Sequence, residues 1–187
     1  MPAAIILAAG SSTRLGQPKQ NIRIANETLL ERAIRVAHLA GLSPIFAVVS
    51  PELTTTPGSN FTILTNHHAS EGMASSIRLG IRAAIEAAAT GVVILACDQI
   101  AVTPEHLRAI IQVETELRAS SYAGRKGIPA YFPSSLFEEL LNLRGDTGAR
   151  GLLRDALALP LANGNLDIDT PEDLDRTRQL YPSSLDR

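Results

Sequence analysis

The hydrophobic pattern alternates between continuous apolar runs and segments in which apolar residues recur at helical spacing. The apolar runs cover residues 2–9, 45–49 and 92–96 and are typical of strands buried on both faces of a parallel sheet. Residues 61–65 predict a further short strand. Helical spacing is found between these runs, over residues 30–37 and 77–85. The alternation predicts a three-layer α/β protein with a mostly parallel sheet and helices on both faces.

Capping and turn residues complete the prediction along the second half of the chain. Thr103-Pro104 and Thr170-Pro171 each place a capping threonine before a proline, which predicts the start of a helix. Residues 122–132 predict a strand, a loop and a second strand lining a site, because they are interrupted by Gly124, Gly127 and Pro129. No repeat or linker divides the 187 residues, so one domain is expected over 1–187.

Composition and charge narrow the functional class. The chain is 45% apolar and 19% charged, as in an ordinary globular protein, and its net charge of −2 disfavours binding to nucleic acid. Cys97 is the single cysteine, which rules out a disulfide framework within the chain and a zinc site built from cysteines. No apolar run approaches the ~20 residues of a membrane helix. We therefore expect a cytoplasmic protein with no nucleic-acid or membrane partner.

The loop after the first apolar run combines glycine, hydroxyl and cationic residues. Gly10 begins this loop, Ser11 and Ser12 follow it, and Arg14 and Lys19 supply two positive charges. Freed backbone N–H groups and cations at the carboxyl end of a first strand predict a phosphate-binding loop. The spacing fits neither a Walker loop nor a dinucleotide-binding fingerprint. An ordinary strand-to-helix turn that carries charge for solubility is the alternative.

Carboxylates follow two apolar stretches and are candidate metal ligands. Asp98 comes just after the run 92–96, and Asp167 and Asp169 follow the shorter stretch 159–162. Such hard oxygen ligands suit Mg²⁺, which usually takes one or two carboxylates together with substrate phosphates. The alternatives are that Asp98 caps the next segment or pairs with a cation, and that Asp169 caps the helix beginning near Thr170.

Three other loops carry candidate binding residues. Gly72, Ser75 and Ser76 open a helix whose N-terminus could accept a ribose, phosphate or base edge, although plain helix capping is equally compatible. Arg125 and Arg150 lie in glycine-flanked loops, where they could meet an anionic acceptor or simply face solvent. The histidines show no spacing typical of a zinc site.

Taken in order, these motifs resemble the MobA-like nucleotidyltransferases. The resemblance rests on the stretch Leu7 to Lys19, which reads LAAGSSTRLGQPK, followed by Gly72-Met73-Ala74-Ser75-Ser76, Asp98-Gln99, Gly127-Ile128-Pro129-Ala130, Gly145-Asp146-Thr147-Gly148-Ala149-Arg150 and the stretch from Asp167 to Leu174. It covers nearly the whole chain and is strongest to the cytidylyl-transferring members that act on the molybdenum cofactor. It implies a Rossmann-like fold of the nucleotide-diphospho-sugar transferase type.

The resemblance implies transfer of a nucleoside monophosphate from a nucleoside triphosphate to a phosphate on an acceptor. The implied catalytic residues are Arg14, Lys19 and Asp98, with Mg²⁺ held by Asp98, Asp167 and Asp169. The implied nucleotide-binding residues are Leu7, Ala8, Ala9, Gly10, Ser11, Ser12, Arg14, Lys19, Asn66, Gly72, Ser75 and Ser76. The implied acceptor-binding residues are Arg125, Gly127, Pro129, Asp146 and Arg150. The expected partners are CTP, a phosphorylated acceptor such as molybdopterin and, transiently, a molybdoenzyme.

Departures from the family pattern leave the substrates less defined than the chemistry. The Ala8-Ala9-Gly10 start resembles the cytidylyl-transferring members, and the Ala9 methyl would narrow the space for a purine. Ile100 replaces a common proline, and Ile128 replaces a common asparagine near the acceptor. Another phosphorylated acceptor such as a sugar phosphate, a nucleotide-sugar glycosyltransferase, or a non-catalytic nucleotide- or cofactor-binding module are the alternatives.

Overall fold

The computed structural model describes residues 1–10, 15, 17–24, 26–53, 58, 60–146, 148–168 and 170–180. Four of the predicted site residues lie outside these ranges, namely Ser11, Ser12, Arg14 and Asp169. Their predicted roles stay predictions.

The centre of the molecule is a mostly parallel sheet. The strands are β1 (Ala3–Ala8), β2 (Arg23–Ile24), β3 (Glu27–Thr28), β4 (Ile45–Val49), β5 (Thr62–Thr65), β6 (Gly91–Ala96), β7 (Arg118–Tyr122), β8 (Arg125–Pro133) and β9 (Leu157–Pro160). Seven of them form one sheet in the order β5-β4-β1-β6-β8-β7-β9, and β2 and β3 form a separate two-stranded ribbon. Within the large sheet β8 runs antiparallel to both neighbours, whereas the other adjacent pairs are parallel.

Helices cover both faces of this sheet. They are α1 (Leu29–Leu39), α2 (Met73–Glu86), α3 (Pro104–Ile110), α4 (Phe137–Leu141) and α5 (Pro171–Leu180), with 3₁₀ turns at Lys19–Asn21, Ala69–Glu71, Ser134–Leu136 and Leu152–Asp155. The predicted cap at Thr103 is present, since its Oγ1 accepts a hydrogen bond from the His106 amide at 3.2 Å. At Thr170 the predicted cap is also present, because its Oγ1 accepts from the Asp173 amide at 3.2 Å.

Residues of β1 alternate between two apolar layers, as a strand buried on both faces requires. Ala4 and Ile6 pack in the layer that contains residues of α1 and α3, whereas Ala3 and Ile5 pack in the layer that contains residues of α2 and α4. The three-layer fold predicted from the sequence is thereby confirmed. Within the described ranges, no helix combines the length and the apolar character that a membrane crossing requires.

The segment 122–132 differs from its predicted form. Strands β7 and β8 make a hairpin joined by Ala123 and Gly124, so Gly127 and Pro129 lie inside β8 instead of in a loop. The pairing shifts register there, because Ala119 pairs with Ala130 and Ser120 pairs with Gly127. Proline is tolerated at such an irregularity because its missing N–H costs no ladder hydrogen bond.

Candidate active site

The carboxyl ends of β1, β4, β5 and β6 meet at one edge of the sheet, and β8 begins at the same edge because it runs the other way. This edge borders a cleft of about 260 Å³. The predicted site residues that line the cleft are Leu7, Asp98, Arg125, Gly127, Asp146, Arg150 and Asp167. Ligands of open α/β sheets bind at such an edge, so the cleft is the candidate active site.

Lys19 contacts Asp98, which lines the cleft, although 79 positions separate the two residues in the chain. The Lys19 Nζ atom donates to Asp98 Oδ2 at 2.9 Å, and the two side chains are 18% and 15% exposed. Pairing with a cation was the alternative to a metal role for Asp98, and the structure contains that pairing. The limited exposure makes the ion pair stronger than an ordinary surface pair, because water screens it less.

A single backbone bridge brings the second candidate metal ligand to the same place. Gln99, which follows Asp98, pairs in antiparallel fashion with Asp167. Both Asp98 and Asp167 line the cleft, and the Oδ1 atom of Asp167 is buried. In the described part of the chain no group of three or more His, Cys, Asp or Glu side chains could hold a metal. Two carboxylates at one cleft nevertheless fit Mg²⁺, which completes its coordination with water and substrate oxygens.

Three of the predicted nucleotide-binding side chains bond to one another. Asn66 Nδ2 donates to Ser75 Oγ at 2.8 Å and to Ser76 Oγ at 2.9 Å, and Asn66 is only 3% exposed. Ser75 Oγ in turn donates to the Gly72 carbonyl at 2.8 Å. This network ties the end of β5 to the first turn of α2. Contact of these side chains with a nucleotide stays a prediction.

The loop that carries Asp146 lies directly on the N-terminus of α2. The Ala74 amide donates to the Gly145 carbonyl at 3.0 Å. Gly72 adopts a φ of +111°, and a Cβ atom added there would lie 2.6 Å from the Gly145 carbonyl carbon. The predicted nucleotide-binding and acceptor-binding segments therefore touch each other through backbone atoms.

Two cleft residues, Gln99 and Tyr122, received no role as site residues from the sequence. Gln99 Nε2 and the Tyr122 hydroxyl both donate to the Ile128 carbonyl, at 2.7 Å and 2.9 Å. The Arg125 guanidinium lies over the Tyr122 ring, 5.7 Å from its centroid, as in a cation–π contact. Burial raises the pKa of the Tyr122 hydroxyl, and the Asp167 carboxylate raises it further. The sequence signal for Gln99 was its place beside Asp98 in the Asp98-Gln99 motif of the family resemblance.

Comparisons with known proteins show the family to which the chain belongs. The MobA-like NTP transferase domain matches residues 4–161 of the chain. The chain is 30% identical to the purine catabolism protein PucB of Bacillus subtilis, covering 94% of this chain and 95% of that protein. It is 29% identical to a probable molybdenum cofactor guanylyltransferase of Mycolicibacterium paratuberculosis, over 91% of this chain and 86% of that protein.

Two solved structures of one protein have the same fold. The crystal structure of Rv0371c from Mycobacterium tuberculosis superposes with a TM-score of 0.79 at 30% identity and covers 96% of this chain and 99% of its own. A manganese complex of Rv0371c superposes with a TM-score of 0.73 at 28% identity, covering 96% of this chain and 98% of its own. The sequence match over residues 4–161 and the shared fold show that the chain belongs to the MobA-like NTP transferase family.

Proposed function

We propose that this nucleotidyltransferase moves a nucleoside monophosphate, preferably CMP, from a nucleoside triphosphate to a phosphate of the molybdenum pterin cofactor and releases pyrophosphate. The observation that carries the proposal is the meeting of a cation and two carboxylates at one cleft. Lys19 pairs there with Asp98, and Asp167 is bridged to the neighbouring Gln99. Phosphoryl-type transfer depends on positioning and charge neutralisation more than on covalent catalysis, and these side chains suit that demand.

A divalent cation is part of the proposal. Asp98 and Asp167 are the described residues that would hold it, and Asp169 is a further candidate ligand. The relative Rv0371c has been crystallised as a complex with manganese, which supports a divalent cation in this chain as well. When bound, such a cation neutralises charge on phosphate oxygens.

The chain's own side chains have defined parts in the proposed reaction. An oxygen of the acceptor phosphate attacks the α-phosphorus, a new P–O bond forms, and the bond from the α-phosphorus to the β-phosphate oxygen breaks as pyrophosphate leaves. The ammonium group of Lys19 offsets the negative charge that grows on the leaving pyrophosphate. Arg14 is proposed to hold the triphosphate together with the backbone of the first loop. Arg125 and Arg150 line the cleft and are proposed to hold the acceptor phosphate.

The choice of base rests on the first loop. Ala8 is buried at the end of β1, and Ala9 follows it half-buried at the rim. The Ala9 methyl occupies space that a glycine would leave to a larger base, which supports CTP. GTP is the second candidate, because three relatives are named probable molybdenum cofactor guanylyltransferases and are 29% identical to this chain over the aligned residues. The names of these relatives also support the molybdenum cofactor as acceptor.

The test is a pyrophosphate-release assay with purified molybdopterin and each of CTP, GTP, UTP and ATP, with and without Mg²⁺. We expect Mg²⁺-dependent release that is fastest with CTP. Asp98→Asn should lower kcat on the order of 100-fold, as the loss of one electrostatic group does in other active sites. Asp155→Asn changes an exposed carboxylate in the same way and is the matched control, with activity expected to be unchanged.

Each alternative gives a different result in this assay. Faster release with GTP would refute the CTP preference while leaving nucleotidyl transfer intact. Release with a sugar phosphate but none with molybdopterin would refute the proposed acceptor. Failure of every pair of substrates would favour a non-catalytic nucleotide-binding module.

A further inference from the structure

A buried glutamine beside the candidate metal ligands connects three separate segments of the cleft. Gln99 is 6% exposed, and both the oxygen and the nitrogen of its side-chain amide make hydrogen bonds. Its Oε1 atom accepts from the Ala96 amide at 3.1 Å, and its Nε2 atom donates to the Ile128 carbonyl at 2.7 Å. An amide N–H can only donate and a carbonyl can only accept, so these two partners settle the orientation of the Gln99 amide.

The backbone of Gln99 adds a third connection. It follows Asp98 in the chain and pairs with Asp167 in an isolated antiparallel bridge. One residue therefore links the end of β6, the segment of Asp167 and the strand β8. The two carboxylates proposed to hold the cation lie on either side of it.

The contact with β8 uses a backbone atom. The Ile128 carbonyl accepts from Gln99 Nε2 and also from the Tyr122 hydroxyl, so both of its lone pairs are used. This carbonyl would be present whatever side chain stood at position 128. The replacement of the family's asparagine by Ile128 accordingly leaves the link from Gln99 to the acceptor strand in place.

We propose that Gln99 is a positioning residue that holds the Asp98 and Asp167 carboxylates in register with the acceptor-binding strand β8. This rests on the proposed function, because the residues being positioned are its metal and acceptor groups. Loss of the amide leaves the Ala96 N–H and one lone pair of the Ile128 carbonyl without a partner, and the segments that carry Asp98 and β8 move apart. Removal of such a supporting group typically costs 10–100-fold in metal affinity or activity.

The experiment compares Gln99→Met with the matched variant Gln112→Met, which makes the same change at a glutamine outside the cleft. Methionine has nearly the shape of glutamine, adds no charge and removes both hydrogen bonds of the side-chain amide. Binding of Mn²⁺ is measured by electron paramagnetic resonance of the free ion, in the presence of CTP and independently of activity. We expect Gln99→Met to weaken Mn²⁺ binding and to lower kcat by about 10–100-fold each, with a smaller change in the KM for CTP.

Two further variants keep the proposal open to refutation. Gln99→Asn retains an amide that is one methylene too short to reach both Ala96 and Ile128, and it is judged by the same readouts if Gln99→Met fails to fold by circular dichroism. Tyr122→Phe removes the other hydrogen-bond donor to the Ile128 carbonyl. It should leave Mn²⁺ binding within about twofold of wild type, because the hydrogen bond from the Gln99 amide to this carbonyl persists.

The outcomes separate this proposal from the proposed function. Mn²⁺ binding and kcat of a folded Gln99 variant within twofold of those of Gln112→Met would overturn the positioning role. A wild-type protein that binds Mn²⁺ but transfers no nucleotide would refute the proposed function, and the positioning role would then be judged on Mn²⁺ binding alone. Absence of Mn²⁺ binding by the wild type would overturn both.

Discussion

Gly72 is the glycine at which an added methyl group should do the most damage to the candidate site. Its φ of +111° and ψ of −179° lie in a region that is essentially reserved for glycine. A Cβ atom there would lie 2.6 Å from the Gly145 carbonyl carbon and 2.7 Å from its oxygen. Both are backbone atoms, so the clash cannot be relieved by the rotation of a side chain.

The cost of Gly72→Ala has two parts. Backbone strain in this region is worth about 1–3 kcal/mol, and overpacking against a fixed neighbour costs about 1–3 kcal/mol more. We therefore expect the free energy of unfolding to fall by about 2–6 kcal/mol, a large share of the roughly 5–15 kcal/mol typical of a domain. The variant should also lose activity, because the loop 145–146 is pushed off the N-terminus of α2.

Gly145→Ala is the matched control. Gly145 also has a positive φ, of +67°, but a Cβ atom there would meet nothing within 4 Å. Its strain of about 1–2 kcal/mol is partly offset by the lower entropy of the unfolded chain, worth about 0.4–1 kcal/mol. Urea unfolding followed by circular dichroism gives both values. Destabilisation by Gly72→Ala no larger than that by Gly145→Ala would refute the argument from close approach.

Three other predictions concern the core and its ionisable groups. Burial raises the pKa of the Cys97 thiol, so Ellman's reagent should label this thiol only after the protein unfolds. Labelling of the native protein at the rate of a free thiol would contradict this. Burial lowers the pKa of His106 from 6.5, so the unfolded state binds the proton more readily. The urea concentration at the unfolding midpoint should therefore decrease as the pH is lowered below 6.5, and it should decrease less in His106→Gln. An equal decrease in both proteins would contradict this. Gly80→Ala should lower the free energy of unfolding by about 1–3 kcal/mol, because the added Cβ atom would lie 2.6 Å from Ile5 Cγ2. This cost outweighs the better helix propensity of alanine. An unchanged midpoint in a urea titration would contradict this.

Local signals predicted most of the fold correctly. The strand at 45–49 was predicted with the observed bounds Ile45–Val49, and the caps at Thr103 and Thr170 form as expected. These features depend on neighbours within a few positions, so the sequence contains their cause. Helix α4 was missed because Phe137–Leu141 spans only five residues, too short for an apolar period to be recognised.

The prediction of two strands over residues 122–132 was correct in outline, but it was wrong about which residues form the turn between them. Gly127 and Pro129 suggest a loop when they are judged as single residues. In the sheet they lie where the register with β7 shifts between Ala119 and Ser120, and β6 pairs with residues 130–133 of β8. Tertiary pairing of this kind overrides local preference, and a single sequence does not reveal which residues will be paired.

The two adjacent cationic residues at the cleft show that the sequence also does not reveal which charged side chains the fold uses. Arg125 and Lys126 share one glycine-flanked segment, and nothing in the sequence separates their roles. In the structure the Lys126 ammonium donates to the Arg154 and Ala156 carbonyls at 2.7 Å and 2.8 Å, which ties β8 to the 3₁₀ turn at Leu152–Asp155. The Arg125 guanidinium is exposed over the Tyr122 ring. Both residues border the cleft, but the backbone carbonyls of Arg154 and Ala156 hold the Lys126 ammonium, whereas the exposed Arg125 guanidinium is the group proposed to contact an anionic acceptor.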